Sequence, residues 1–178
     1  MLAEYKLVWG SNEHFKKIDQ IMEAISYNAI KSSSELAIEK GIYPTFEGSK
    51  WSEGIMPHDH APQSVNALVD KDLFDASYDW DSLRTKVKKD GMRNGYLMAV
   101  APTSSISILV GTTQAIEPVY KRKWFEENLS GLIPVVVPKL SPETWHYYTP
   151  AFEIDQLQVI KAAAIRQKWI DQGQSTNI

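Results

Sequence analysis

Between Glu13 and Glu39, Phe15, Ile18, Met22, Ile25, Ala29 and Ile30 recur at the spacing of one helix face, which predicts a long amphipathic helix. Ser11 or Asn12 supplies a cap, Glu13 suits the positive end of the helix dipole, and Lys40-Gly41 closes the helix with Pro44 beyond. The stretch "PTFEGSKWSEGIMPHDHAPQS", residues 44–64, is rich in Pro and Gly and reads as a long irregular loop. A second helix is predicted from Asp79 to Asp90, with Trp80, Leu83 and Val87 inward and Gly91 as its stop. Tyr96 to Val100 has the character of a buried strand and feeds a helix at Thr103, whose first residues join a second buried-looking run, Ile106 to Val110. "LIPVVVP", residues 132–138, is a short strand or extended segment interrupted by prolines. Ser141-Pro142-Glu143 is a helix start that Pro150 cuts short. A last helix is expected from Ile154 to Gln172, carrying Leu157, Ile160, Ala164 and Trp169, with Gly173 as its stop. The pattern is mostly helical with a few short strands, and the class it points to is α/β.

Composition bounds this picture without changing it. The 178 residues are 43% hydrophobic and 23% charged, the range of soluble globular domains, and one domain over residues 1–178 is the expectation. A net charge of −3 argues against a general nucleic-acid or anionic-membrane binder. The chain has no cysteine, so disulfides, thiolate metal sites and thiol chemistry are excluded from these residues. No apolar run approaches the ~20 residues of a membrane span, and the N-terminus lacks the apolar core of a signal peptide; a cytoplasmic location is expected.

The chemistry worth weighing lies at "MRNGYLMAVAPTSSISILVGTTQAIEP", residues 92–118. A strand ending in Pro102-Thr103-Ser104-Ser105 before a helix points free backbone N–H groups outward, and those groups with the helix dipole form an anion site. The three hydroxyls add donors and no repelling charge. The plainer reading is that Ser and Thr are good helix caps, and residue types alone favour it. The chain has no Gly-Lys-Ser/Thr loop and no spaced glycine fingerprint.

Other residues invite functional readings and mostly resist them. His58-Asp59-His60 has the spacing to share a metal, but no third ligand is evident and a solvated loop is the simpler account. Lys121-Arg122-Lys123 is too short a basic run for nucleic acid. Trp80, Trp124, Trp145 and Trp169 are read as core or interface and Tyr147-Tyr148 as structural; Glu117 could be taken for a catalytic acid, fits equally a residue that fixes the loop by hydrogen bonding, and is assigned no role.

The turn gains weight from resemblance. "GMRNGYLMAVAPTSSISILVGTTQAIEP" resembles the segment of class I ribonucleotide reductase large subunits in which a Pro-Thr/Ser turn follows a barrel strand. "YPTFEGSKWSEGIMP" is similar to that family's "F-x-x-S-x-W/Y-x-x-G-x-x-P" stretch. "YDWDSLRTKVKKDGMRNG" is similar to its "Y-D-W-x-x-L" helix leading to "G-x-R-N", and "IRQKWIDQGQSTN" to its "R-Q-x-x-I-D-Q-x-x-S-x-N" element. The resemblance spans nearly the whole chain in order.

It implies reduction of ribonucleoside diphosphates to deoxyribonucleotides by radical chemistry, in a ten-stranded α/β barrel of which this chain is the C-terminal part. It implies that the turn at Pro102, Thr103, Ser104, Ser105 and Ile106 holds the substrate diphosphate through main-chain N–H and hydroxyl groups, Ile106 through its backbone alone. The family's thiyl-radical cysteine, its reducing cysteine pair and the Asn and Glu of its finger loop lie before the matched segment, and its tyrosine relay lies after it. A chain without cysteine is therefore expected to be inactive by itself, a split or truncated portion of the large subunit. The complete enzyme would use the remaining large-subunit segments, a radical-generating metal-bearing small subunit, ATP and dNTP effectors, and a thioredoxin- or glutaredoxin-type reductant. No catalytic residue and no bound cofactor or metal is assigned to this chain. The alternative is a non-catalytic remnant or interaction module that keeps only the phosphate turn.

Overall fold

The computed structural model describes residues 2–60, 77–129 and 131–177. The expected loop over 44–64 lies outside the described residues from 61 onward.

Helix α1 spans Asn12–Lys40, one residue beyond the expected bounds at each end. Ser11 Oγ accepts the His14 N–H at 3.1 Å, which satisfies one of the helix's free first-turn donors. Helix α2 spans Trp80–Asp90, starting one residue after the expected Asp79, which is instead its cap: Asp79 Oδ1 accepts the Ser82 N–H at 3.0 Å. Trp80, Leu83 and Val87 form its buried stripe. Gly91 stops it at φ +77°, and a Cβ there would stand 2.2 Å from Ile42 Cγ2, so both backbone and space require glycine. Helix α3 is short, Ser104–Leu109, and α4 spans Gln156–Gln167. Strands β1 (Lys123–Asn128) and β2 (Gly131–Val136) pair antiparallel, Lys123 opposite Val136 and Phe125 opposite Pro134. Pro134 is tolerated because a two-stranded ribbon is all edge. Trp124 and Glu126 share one face, and the indole Nε1 donates to Glu126 Oε1 at 3.0 Å.

The chain divides into two compact units. The aromatic unit comprises residues 16–99 and 164–174. Its core is Ile30, Phe46, Trp51, Met56, Trp80, Leu83, Val87, Met92 and Trp169. The turn-bearing unit comprises residues 1–15, 100–163 and 175–178. Ala3, Val137 and Tyr148 are buried there beneath Val119, Trp124, Leu140 and Tyr147, and the Tyr148 hydroxyl donates to the Pro138 carbonyl at 2.7 Å.

Four expectations need correction. Tyr96 to Val100 is not a buried strand: Tyr96 is 77% exposed, and only Val100 has a bridge partner. A strand exists through its neighbours, and here the Leu97 and Met98 N–H groups go to the Asp171 carboxylate at 2.9 and 2.7 Å instead. Ile106, Ile108, Leu109 and Val110 are exposed rather than buried. The helix expected from Ser141 is a turn followed by one 3-10 stretch, Trp145–Tyr147, because Ser141 and Thr144 cap each other and the bond from Tyr148 to Pro138 diverts the chain. The last helix ends at Gln167 rather than Gln172, since Asp171 and Gln172 bond to the backbone at 97–98. Its buried residues are Val159, Ala162, Ile165 and Arg166, whereas Leu157 and Ile160 are exposed. The observed chain is mixed, mostly helical with short strands, and no closed barrel forms among the described residues.

Candidate functional site: the turn at Pro102 to Ile106

Pro102, Thr103, Ser104, Ser105 and Ile106 are all exposed on the turn that opens α3. Thr103 sits in the left-handed region at φ +52°, ψ +27°. A β-branched residue is strained there, and such strain persists only where its surroundings impose it. The Thr103 side chain makes no capping bond. The plainer capping account therefore does not describe this turn. Among the described residues the hydroxyls of Thr103, Ser104 and Ser105 and the N–H groups of Thr103 to Ile106 have no hydrogen-bond partner. Just below, Ser107 is 1% exposed and its Oγ donates to the Ser104 carbonyl at 2.8 Å, which fixes the first turn of α3.

The turn is held from its own unit. The Ala115 N–H donates to the Pro102 carbonyl at 3.0 Å, and Ala115 is also left-handed, at φ +54°. The Ser175 N–H donates to the Val100 carbonyl at 2.9 Å. Glu117 Oε1 accepts the Asn177 N–H at 2.5 Å, and Oε2 accepts the Ile116 N–H at 3.2 Å. Glu117 thus fixes a loop, the second of the two readings its sequence position left open. The partners Ser175 and Asn177 are not legible locally, because they lie far along the chain from Val100 and Glu117. No residue from 102 to 106 titrates near neutral pH, so the turn can bind and orient an anion but not transfer protons.

The aromatic unit holds the strongest electrostatics. Asp19 Oδ1 accepts the Trp169 Nε1–H at 2.6 Å and contacts Lys168 Nζ at 2.8 Å. Burial pushes the Asp19 carboxyl up and the Lys168 ammonium down, and their contact offsets this only in part. Glu23 Oε1 accepts the Trp80 Nε1–H at 3.0 Å and the Ser77 N–H at 2.9 Å. Trp80 and Trp169 stack with centroids 5.5 Å apart, and His58 packs on Trp80 at 4.4 Å. His58 is therefore not a solvated-loop residue. Burial holds its imidazole below the usual value, against the raising effect of Asp59. Asp59 pairs with Arg84 through both carboxylate oxygens, and that hydrogen bonding lowers its pKa. The carboxylates and indoles of this network meet one another, while His58 Nδ1 is buried without a hydrogen-bond partner.

A cavity of about 1070 Å³ in the same unit is bordered by Tyr43, Trp51, Met56, Tyr96, Lys168 and Asp171, and no turn residue lines it. Its wall is largely apolar, with the hydroxyl residues Tyr43, Thr45, Ser49 and Tyr96 and the cations Lys50 and Lys168 also lining it. Arg122 lies over the Trp145 ring at 4.8 Å and donates to the Trp145 carbonyl, so the basic run at 121–123 is partly engaged. No helix among the described residues is long and apolar enough to cross a membrane.

Comparison with known proteins agrees over the whole chain. A sequence model of the family described as "Ribonucleotide reductase, barrel domain" matches residues 1–178. The chain is 65% identical over 178 residues to the ribonucleoside-diphosphate reductase subunit alpha of Helicobacter pylori, covering 100% of this chain and 23% of that relative. It is 42% identical to the alpha subunit of Treponema pallidum, again over its whole length and 20% of the relative. It is 32% identical to the large subunit of Danio rerio over 190 residues, 89% of this chain and 23% of that relative. The chain thus spans about a fifth to a quarter of the length of the curated relatives it matches. On the family model's full-length match and these relatives, the chain belongs to the ribonucleotide reductase barrel-domain family.

Proposed function

We propose that this chain is a segment of the large subunit of a ribonucleoside-diphosphate reductase, and that Pro102, Thr103, Ser104, Ser105 and Ile106 hold the diphosphate of its substrate. The observation that carries the reading is the turn itself: exposed, left-handed at Thr103, and bearing hydroxyl and N–H donors without partners among the described residues. Oriented donors of this kind suit a phosphate group, and the backbone can approach it closely. The chain's part in the reaction is to bind and orient. It fixes the diphosphate so that the ribose meets the radical and reducing groups carried by other segments, a contribution of the positioning kind.

Those groups are cysteines in this family, and the chain has none, so it is inactive alone. Its working partners are the remaining large-subunit segments, the radical-generating small subunit and a dithiol reductant. The exposed apolar residues of the turn-bearing unit, among them Leu109, Phe125 and Phe152, support such a covering by further polypeptide.

The test is steady-state kinetics of the large subunit carrying Thr103→Val, Ser104→Ala and Ser105→Ala together. KM for the ribonucleoside diphosphate is expected to rise at least about tenfold with kcat little changed, the signature of lost ground-state binding. An unchanged KM would refute the assignment. Turnover by this chain with only the small subunit, substrate and effector would refute its dependence on other segments and favour a different division of the enzyme.

A further inference from the structure

The turn lies between two ties made by one short stretch remote in sequence. On the entry side, the Ser175 N–H donates to the Val100 carbonyl at 2.9 Å. On the exit side, Asn177 donates to Glu117 Oε1 twice, through its backbone N at 2.5 Å and its Nδ2 at 3.3 Å. The second Glu117 oxygen takes the Ile116 N–H at 3.2 Å. Among the described residues no Lys or Arg pairs with Glu117. Its carboxylate is spent on N–H groups that define the path of the chain. Between the ties, the Ala115 N–H closes the loop onto the Pro102 carbonyl, with Thr103 and Ala115 both left-handed. Two non-glycine residues in that region need external restraint. Glu117 is two residues from Ala115, and its carboxylate holds the neighbouring Ile116 N–H and the Asn177 N–H.

We propose that Glu117 is a positioning residue for the diphosphate turn, acting through Asn177. The carboxylate sets the exit of the loop as the Val100–Ser175 bond sets its entry, so the donors from Thr103 to Ile106 hold their direction before substrate arrives. Such pre-organisation strengthens binding by removing the cost of ordering the loop. This inference rests on the reading of the turn as the diphosphate site. Glu117 touches no substrate atom in it.

The test uses the large subunit carrying Glu117→Ala, Glu117→Gln or Asn177→Ala, beside the triple turn variant. For Glu117→Ala, KM for the ribonucleoside diphosphate is expected to rise about tenfold with kcat within about twofold. Glu117→Gln should recover most of the loss, because its side-chain oxygen still accepts the Asn177 N–H. Asn177→Ala should have a small effect, since that N–H remains. A merely structural role would lower the melting temperature and leave KM in place, and that result overturns the proposal, as does a fall in kcat at constant KM. Should Glu117→Ala not fold, the Glu117→Gln, Asn177→Ala double variant decides. A KM above that of either single variant supports the tie, and a KM equal to wild type removes it. If the turn variant raises KM and no Glu117 variant does, only this inference fails; if the turn variant leaves KM unchanged, the diphosphate reading fails first.

Discussion

In the aromatic unit, Asp19 and Glu23 are buried and each receives an indole N–H, from Trp169 and Trp80. In the turn-bearing unit, Thr103, Ser104 and Ser105 stand exposed with hydroxyls that meet no partner among the described residues, and Leu109 and Phe152 are more than four-fifths exposed. In the first region the buried carboxylates meet indole donors and rings meet rings, although Ser26 Oγ, Ser34 Oγ and His58 Nδ1 are buried without a partner. The second leaves donors and apolar surface without a counterpart. Satisfied polar groups are what a core requires, whereas oriented unsatisfied ones are the raw material of a binding site. The contrast separates where this chain invests in stability from where it offers chemistry.

Substitution should split along the same line. Trp169→Ala removes a large buried ring and the Asp19 hydrogen bond, and should cost about 3–5 kcal/mol in urea unfolding followed by tryptophan fluorescence. A loss below about 1 kcal/mol would mean that the stack is not the core of its unit. The triple turn variant should change the same unfolding free energy by less than about 0.5 kcal/mol, as surface substitutions do, while weakening substrate binding at least about tenfold in the large subunit. A large stability loss in that variant would make the turn structural and erase the contrast. Asp59→Ala breaks a partly exposed pair with Arg84, so solvent screening limits its cost to about 1 kcal/mol by the same unfolding assay.

The smallest effect concerns pH. The folded imidazole of His58 has a pKa below its unfolded value of about 6.5, so the unfolded chain binds that proton more tightly. The stability His58 contributes is complete above that pH and is lost as pH falls below it. The urea midpoint should therefore drop between pH 7.5 and 5.5, and His58→Phe should flatten the drop. Equal slopes in the two proteins would remove His58 as the cause.

What could be read from the sequence depended on how local the signal was. Helix α2 was legible to within one residue because Asp79, the 80/83/87 spacing and Gly91 all lie within or next to its own span. Helix α4 was legible as a helix but not in its orientation. Leu157 and Ile160 on one stripe and Val159, Ala162 and Ile165 on another are both apolar, and only tertiary packing chooses between them. The buried polar residues of α1, such as His14, Asp19 and Glu23, have no hydropathy signal, since their burial depends on partners such as Trp80 and Trp169 from elsewhere in the chain. Strand β1 was missed because its charged residues mask the alternation that sets Trp124 and Glu126 on one face. The turn itself was legible in Pro-Thr-Ser-Ser, but the bonds that hold it, to Ser175 and Asn177, belong to residues no local pattern connects.

The central claim is that the turn grips phosphate, and its most direct test compares two ligands that differ by one phosphate. Equilibrium affinity of the large subunit for a ribonucleoside diphosphate and for the matching monophosphate should be measured with and without the Thr103→Val, Ser104→Ala, Ser105→Ala substitutions. The account predicts a preference for the diphosphate that the substitutions largely abolish. A preference that survives them intact would place the diphosphate elsewhere and contradict it.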